Sequence, residues 1–409
     1  MTQTIYLGRQ PILDLKKNTF AYEILYRSGG DSNQFPDTNG TVATSQVLYN
    51  LFYNLDFKDV VGTKMAFINF TRDNLLQELP TSINPQQTVI EVLEDVAVDS
   101  KVVEACRSLR QKGYKIALDD FFIKKGVKEL LELADIVKID WLNTPQEEIE
   151  HVTRYLRDYP VALLAEKVER EEDFLRAVDR GYRYFQGYFF ERPTIIKGED
   201  VPPSKWTYLR LFSLIQRPEL EPKDLARVVR HDPALTFKLL KLINSPAFGL
   251  RQEVTSVEQA IVLLGEKEMR RWLSLVIMAN LNSDMPNEVL ITASTRGYFG
   301  ELVAKRIGRD DLAPSVFLMG IMSLLNTMIG RPMREIFSKI SVSPPIKDAL
   351  TRRSGPLLPF LILMIAYERA NEKGLKRCQE YFNLTLEDFT QCYLEAIKWA
   401  NLISDISAY

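Results

Sequence analysis

The sequence predicts an α/β chain in which a TIM-like (β/α)8 barrel over residues 1–200 precedes an all-helical domain over residues 201–409. Three observations predict it. Up to about Pro193, short β-rich runs alternate with amphipathic helical stretches. Most of those runs are continuously apolar, as in parallel strands covered on both faces. After Pro202-Pro203 the patterning turns almost wholly helical, as in Leu225, Val228 and Val229 followed by Leu235, Leu239, Leu242 and Ile243.

The elements follow in order. Runs 7–13 and 19–26 flank the turn-like Asp14-Leu-Lys-Lys-Asn18 and read as a β-hairpin. Strands are expected over 66–70, 88–93, 115–121, 136–139, 162–168 and 184–190. Helices are expected over 41–54, 99–112, 127–133, 147–157 and 171–180. This many strand-then-helix units favour a barrel over an open sheet. The interval from Lys138 to Glu166 is short, so one barrel unit is expected to be trimmed. The Pro-containing stretch 193–203 marks the domain boundary.

Composition narrows the function. A chain of 409 residues with 46% hydrophobic and 26% charged residues is that of a folded globular protein. Its 52 basic and 54 acidic residues give a net charge of −2, without the basic field of a nucleic-acid binder. Cys106, Cys378 and Cys392 are scattered and form no CxxC pair, which excludes a disulfide framework or zinc cluster and fits a reducing compartment. The opening residues carry no basic region followed by an apolar core, so no signal peptide is expected. Apolar runs at 357–367 and 316–329 fall short of the about 20 residues of a membrane span. A cytoplasmic protein without a membrane span is expected.

Active sites of parallel barrels form at the C-terminal strand ends, and here those ends carry polar residues repeatedly. Asn69 closes one run, Glu91 and Glu94 the next, then Asp119 and Asp120, Lys138 and Asp140, Glu166, and Gln186; Glu23 joins from the hairpin. A single acid at a strand end is ordinarily a helix cap, and Asp120 and Asp140 fit that role. The same feature on successive strands does not, because caps need no variety of Glu, Asn and Lys. Converging carboxylates repel unless cations neutralise them. With no histidine or thiolate nearby, hard Mg²⁺ or Mn²⁺ ions suit the oxygen donors. Two such ions can activate a water and stabilise both oxygens of a phosphodiester displacement, and Lys138 adds a fixed positive charge.

These residues resemble the EAL phosphodiesterase family over residues 5–195. Glu23-Ile24-Leu25 stands where the family has Glu-Ala-Leu, followed by Arg27. Gln10-Pro11-Ile12, Lys138-Ile139-Asp140, Ala165-Glu166 and Gln186-Gly187-Tyr188 match further family motifs. The resemblance implies hydrolysis of cyclic di-GMP to linear pGpG. It implies two metals held by Glu23, Asn69, Glu91, Asp119, Asp120 and Glu166, and catalytic roles for Lys138, Glu166 and Glu23. It also implies substrate contacts at Gln10, Arg27 and Gln186, support of the loop after the aspartate pair by Glu94, and a homodimer. Two positions depart from the family. Phe122 replaces the glycine of Asp-Asp-Phe-Gly, and Lys167 occupies the variable position of Ala-Glu-x-Val-Glu, often a glycine. The altered loop motivates an alternative, a catalytically inactive cyclic di-GMP receptor or scaffold.

The second half resembles the HDOD domain, carried by the stretches 232–250 and 256–265. His231-Asp232 imitates a metal-binding His-Asp pair, but the chain's only other histidine is His151, in the first half. Asp232-Pro233 reads as a helix start, with Asp232 as N-cap. The resemblance implies a non-catalytic module for regulation or for docking an unknown protein partner.

Overall fold

The chain is described from a computed structural model covering residues 5–28, 57–123, 126–191, 202–217, 221–230, 232–244, 252 and 254–407. The expected helix 41–54 lies outside the described residues.

Strands β1 (Ile5–Asp14) and β2 (Thr19–Ser28) form the opening hairpin. The Asp14 carboxylate closes its turn by accepting from the Lys16 and Asn18 amides, each at 2.8 Å. Then follow β3 (Met65–Phe70), β4 (Thr88–Val92), β5 (Lys115–Leu118), β6 (Ile136–Asp140), β7 (Ala162–Glu166) and β8 (Tyr184–Gln186). The eight close into a barrel in sequence order. Strands β2 to β8 run parallel, while β1 is antiparallel to both β2 and β8 and seals the cylinder. No unit between Lys138 and Glu166 is trimmed: helix Gln146–Leu156 fills that interval. Two strands end three or more residues earlier than their apolar sequence suggests. β5 stops at Leu118, and after β8 the chain turns into a short 3₁₀ segment, Phe189–Glu191. Phe121, Phe189 and Phe190 are buried from turns, so an apolar run there does not mark a strand.

Side chains two apart on a strand share a face. Ile12, Ala21, Phe67, Val89, Ala117, Ile136 and Leu164, one from each of the first seven strands, meet as a buried apolar layer inside the barrel. Tyr184 of β8 packs against it. This layer is the floor on which the polar residues stand.

By contacts the chain divides into two units, Met1–Arg192 with Ile362–Ile397, and Pro193–Leu361 with Lys398–Tyr409. Within the first, Tyr367 Oη donates to the Leu7 carbonyl at 3.1 Å and Tyr188 Oη to the Glu368 carbonyl at 2.9 Å. These bonds tie the segment 362–397 to barrel residues.

The described residues of the second unit are helical. Asp232 caps helix Pro233–Ile243, accepting from the Leu235 amide at 3.2 Å. Asn244 exchanges two side-chain hydrogen bonds of 2.8 Å with the Val254 backbone. Helices Asn287–Arg306 and Ala313–Met322 meet at Gly297 and Gly320, where a Cβ on Gly320 would lie 2.5 Å from the Gly297 nitrogen. Among the described residues no single helix is long and apolar enough to cross a membrane.

Candidate active site

The site follows from a two-residue step along each strand. Two positions beyond floor residues Ala21, Phe67, Val89, Ala117, Ile136 and Leu164 stand Glu23, Asn69, Glu91, Asp119, Lys138 and Glu166. Gln186 stands two beyond Tyr184. At a rise of about 3.3 Å per residue, the polar layer sits about 6–7 Å above the apolar one, at the C-terminal mouth. In β1, which runs the other way, Gln10 comes two residues before Ile12 and pairs in register with Glu23.

Lys138 is the hub of this layer. Its ammonium, on a side chain only 1% exposed, lies 2.8 Å from Asp119 Oδ1, 2.5 Å from Glu166 Oε1 and 3.5 Å from Glu23 Oε2, and pairs with Glu91. Burial alone would lower the Lys138 pKa, but the four carboxylates outweigh it and raise it well above the usual range. Burial raises Glu91 well above the usual carboxylate range, with Lys138 opposing. Glu166 is pushed up to about 8, first by burial and then by Asp119 and Glu23, again against Lys138. Glu23 is further held by Asn69 Nδ2 at 3.2 Å and Gln186 Nε2 at 2.6 Å, and Gln186 Nε2 also donates to Gln10 Oε1 at 2.9 Å.

The carboxylates form two groups that share one member. Oxygens of Glu23, Glu91 and Glu166 lie within 4.8 Å of one another, as do those of Asp119, Asp120 and Glu166. Asp120 follows the end of β5 at φ +37°, a left-handed conformation rare outside glycine. It caps no helix, because the helix after it, Val127–Leu131, begins at Gly126. Burial raises the Asp120 pKa against the opposing charge of Lys167. Glu94, from the loop after β4, lines a small cleft with Asp119, Asp120 and Phe122; burial raises its pKa, with Asp119 and Asp120 adding. Asp140 has a different task. It accepts from the Leu142 and Asn143 amides at 2.9 and 2.8 Å, capping a turn. Arg27 is the penultimate residue of β2, and its side chain lies outside the described residues.

Lys167 was legible in the sequence only as a departure from a motif, yet it belongs to this layer. Its ammonium donates to Asp140 Oδ2 and lies 4.0 Å from Asp120 Oδ2.

Two matches bear on the family. A family model described as EAL domain matches residues 65–193, and one described as HDOD domain matches residues 201–333. CdgJ of Vibrio cholerae, a cyclic di-GMP phosphodiesterase, is 32% identical over 404 residues, 98% of this chain and 93% of that protein. The chain belongs to the EAL–HDOD family. YuxH of Bacillus subtilis, of uncharacterised function, is 32% identical to this EAL–HDOD chain over 410 residues, 98% of this chain and 99% of that one. Among solved structures, Klebsiella pneumoniae BlrP1 in complex with calcium and cyclic di-GMP is 23% identical. That match covers 46% of this chain and 56% of BlrP1, with a TM-score of 0.38.

The residues fit a divalent-metal site. Glu91 Oε2 and Asp120 Oδ1 are buried carboxylate oxygens with no hydrogen-bond donor, an arrangement that costs free energy unless a cation meets them. Among the described residues, Glu23, Glu91, Asp119, Asp120, Asp140 and Glu166 form ion pairs with Lys138 and Lys167, so six ionised carboxylates meet two ammonium groups, leaving four negative charges for other cations to balance.

Proposed function

We infer that this EAL–HDOD protein is a cyclic di-GMP phosphodiesterase that hydrolyses the cyclic dinucleotide to linear pGpG in bacterial second-messenger signalling. The observation that carries the reading is the polar layer above the barrel floor, with two carboxylate groups sharing Glu166 around one buried lysine. The reaction is metal-dependent in this proposal, with two Mg²⁺ or Mn²⁺ ions matching the four unbalanced charges. Glu23, Asn69, Glu91 and Glu166 would hold one, and Asp119, Asp120 and Glu166 the other. When bound, such ions supply an activated water and neutralise charge on the phosphodiester oxygens.

The chain's own groups do the rest. Lys138 holds four carboxylates in place and keeps a positive charge beside the reacting phosphate. Gln186 and Asn69 fix the orientation of Glu23 by donating to both of its oxygens. Gln10, Arg27 and Gln186 contact the substrate at the mouth, and Glu94 steadies the loop that carries Asp120. The HDOD half, beginning near residue 201, regulates the barrel or docks a protein partner, and the chain acts in the cytoplasm as a homodimer.

Purified protein given cyclic di-GMP with Mg²⁺, then Mn²⁺, tests the reading, with pGpG followed by chromatography. Product from the parent that vanishes in Glu23→Ala is expected. Product retained in Glu23→Ala refutes the site. Calorimetric binding with no product from the parent makes the protein a receptor.

A further inference from the structure

Both acidic groups meet Lys138, and the Asp119–Asp120–Glu166 group meets a second cation as well. Lys138 is enclosed among Glu23, Glu91, Asp119 and Glu166, whereas Lys167 sits at the rim, its side chain 47% exposed, against Asp140 and Asp120. Three observations make Lys167 a built component instead of a passing surface charge.

Its backbone is held at φ +54°, in the left-handed region that side-chain-bearing residues seldom adopt. Neighbouring contacts enforce this. The Val168 amide donates to the Gln186 carbonyl at 2.9 Å, and the Phe189 amide donates to the Val168 carbonyl at 3.2 Å. Gly187 packs so closely that a Cβ there would lie 2.1 Å from the Val168 oxygen. Strain of this kind persists only where the surroundings over-determine it, and it concentrates at functional sites.

The anchor of Lys167 is itself saturated. Asp140 already accepts from the Leu142 amide, the Asn143 amide and Asn143 Nδ2, the last at 2.7 Å. Asp140 is thereby fixed, and it fixes the ammonium in turn. What the ammonium faces across the gap is Asp120, the other left-handed residue of the site and a member of the Asp119, Asp120, Glu166 group.

We propose that Lys167 is a second resident counter-cation of the Asp119–Asp120–Glu166 group and lowers that group's divalent-metal affinity. The inference rests on reading both groups as metal sites. A fixed positive charge 4.0 Å from one ligand oxygen opposes a divalent cation at that ligand. Lys167 is a positioning residue here: it acts through Asp120 and Asp140.

The test is Mn²⁺ binding to full-length, metal-stripped protein without substrate, with free ion read by electron paramagnetic resonance. Lys167→Met removes the charge, Lys167→Arg keeps it, and Lys167→Gly removes the charge together with the backbone strain, which guards against misfolding of the Met variant. Asp120→Asn identifies the second site by its loss. The parent is expected to bind two ions, one of them lost in Asp120→Asn. Lys167→Met and Lys167→Gly should tighten that site about tenfold or more, while Lys167→Arg stays within about threefold of the parent. Unchanged or weaker binding in both charge-removing variants, with two sites intact in the parent, overturns the role of Lys167 and leaves the metal reading standing. No Mn²⁺ binding by the parent overturns the metal reading and this inference with it.

Discussion

Replacing Lys138 with methionine tests whether one ammonium holds the polar layer together. Methionine keeps the length and apolar stem of the side chain and deletes only the charge. In the metal-free protein three carboxylate oxygens lie 2.5, 2.8 and 3.5 Å from that charge, and Glu91 pairs with it as well. Each contact near 3 Å is worth a gross ~5 kcal/mol at an effective dielectric of about 20. Most of that gross attraction is offset by the cost of desolvating the groups. Removing one partner of a buried ionic cluster leaves a net loss of about 3–5 kcal/mol, because the remaining charges stay buried without it. For a folding unit of this size such a loss lowers the melting temperature by about 6–20 °C. The assay is thermal denaturation by circular dichroism in EDTA, repeated with Mg²⁺. The drop should be large in EDTA and smaller with Mg²⁺, because divalent ions replace the missing positive charge. Hydrolysis measured with Mg²⁺ should fall about 10³-fold. A Lys138→Met protein that melts within about 2 °C of the parent in EDTA would refute the argument that Lys138 neutralises this layer.

Other consequences can be measured directly. Gly187→Ala places a methyl group 2.1 Å from the Val168 carbonyl oxygen, at a backbone φ of +142°. The turn carrying Lys167 must move, so turnover should drop by about 10²-fold with a stability loss of about 1–3 kcal/mol; parental kinetics would show that the turn tolerates displacement. Burial pushes the Cys106 thiol up to about 12 and Cys378 to about 11, and Cys392 is buried too. Ellman's reagent should leave the native protein essentially unlabelled and find three thiols after denaturation; rapid native labelling would contradict the packing of these helices.

The polar layer also explains why the site is confined to the barrel mouth. Each polar residue stands two positions from a residue packed into the apolar floor, after it on β2 to β8 and before it on the antiparallel β1. A one-residue slip in any strand would turn both to the other face. Floor packing and site geometry are therefore fixed by the same register, and floor substitutions that shift a strand should move its ligand.

The sequence by itself determined the fold class, the change of rhythm near residue 200, and the order of polar residues at the strand ends. Those features are local: apolar runs, helical periodicity and the two-residue alternation are properties of short segments. It also determined that Asp232 caps a helix, because a cap needs only its next three residues. Tertiary structure decided the rest. Closure by an antiparallel β1 depends on where the hairpin's far edge meets β8, which no local pattern encodes. The ends of β5 and β8 lay hidden because phenylalanines buried from turns have the same composition as strand residues. Asp119 and Asp120 are adjacent in sequence, yet only Asp119 contacts Lys138, since the left-handed turn at Asp120 sends its carboxylate toward Lys167. The place of Lys167 beside Asp120 and Asp140 joins loops from three strands, and such a juxtaposition exists only once the barrel has closed.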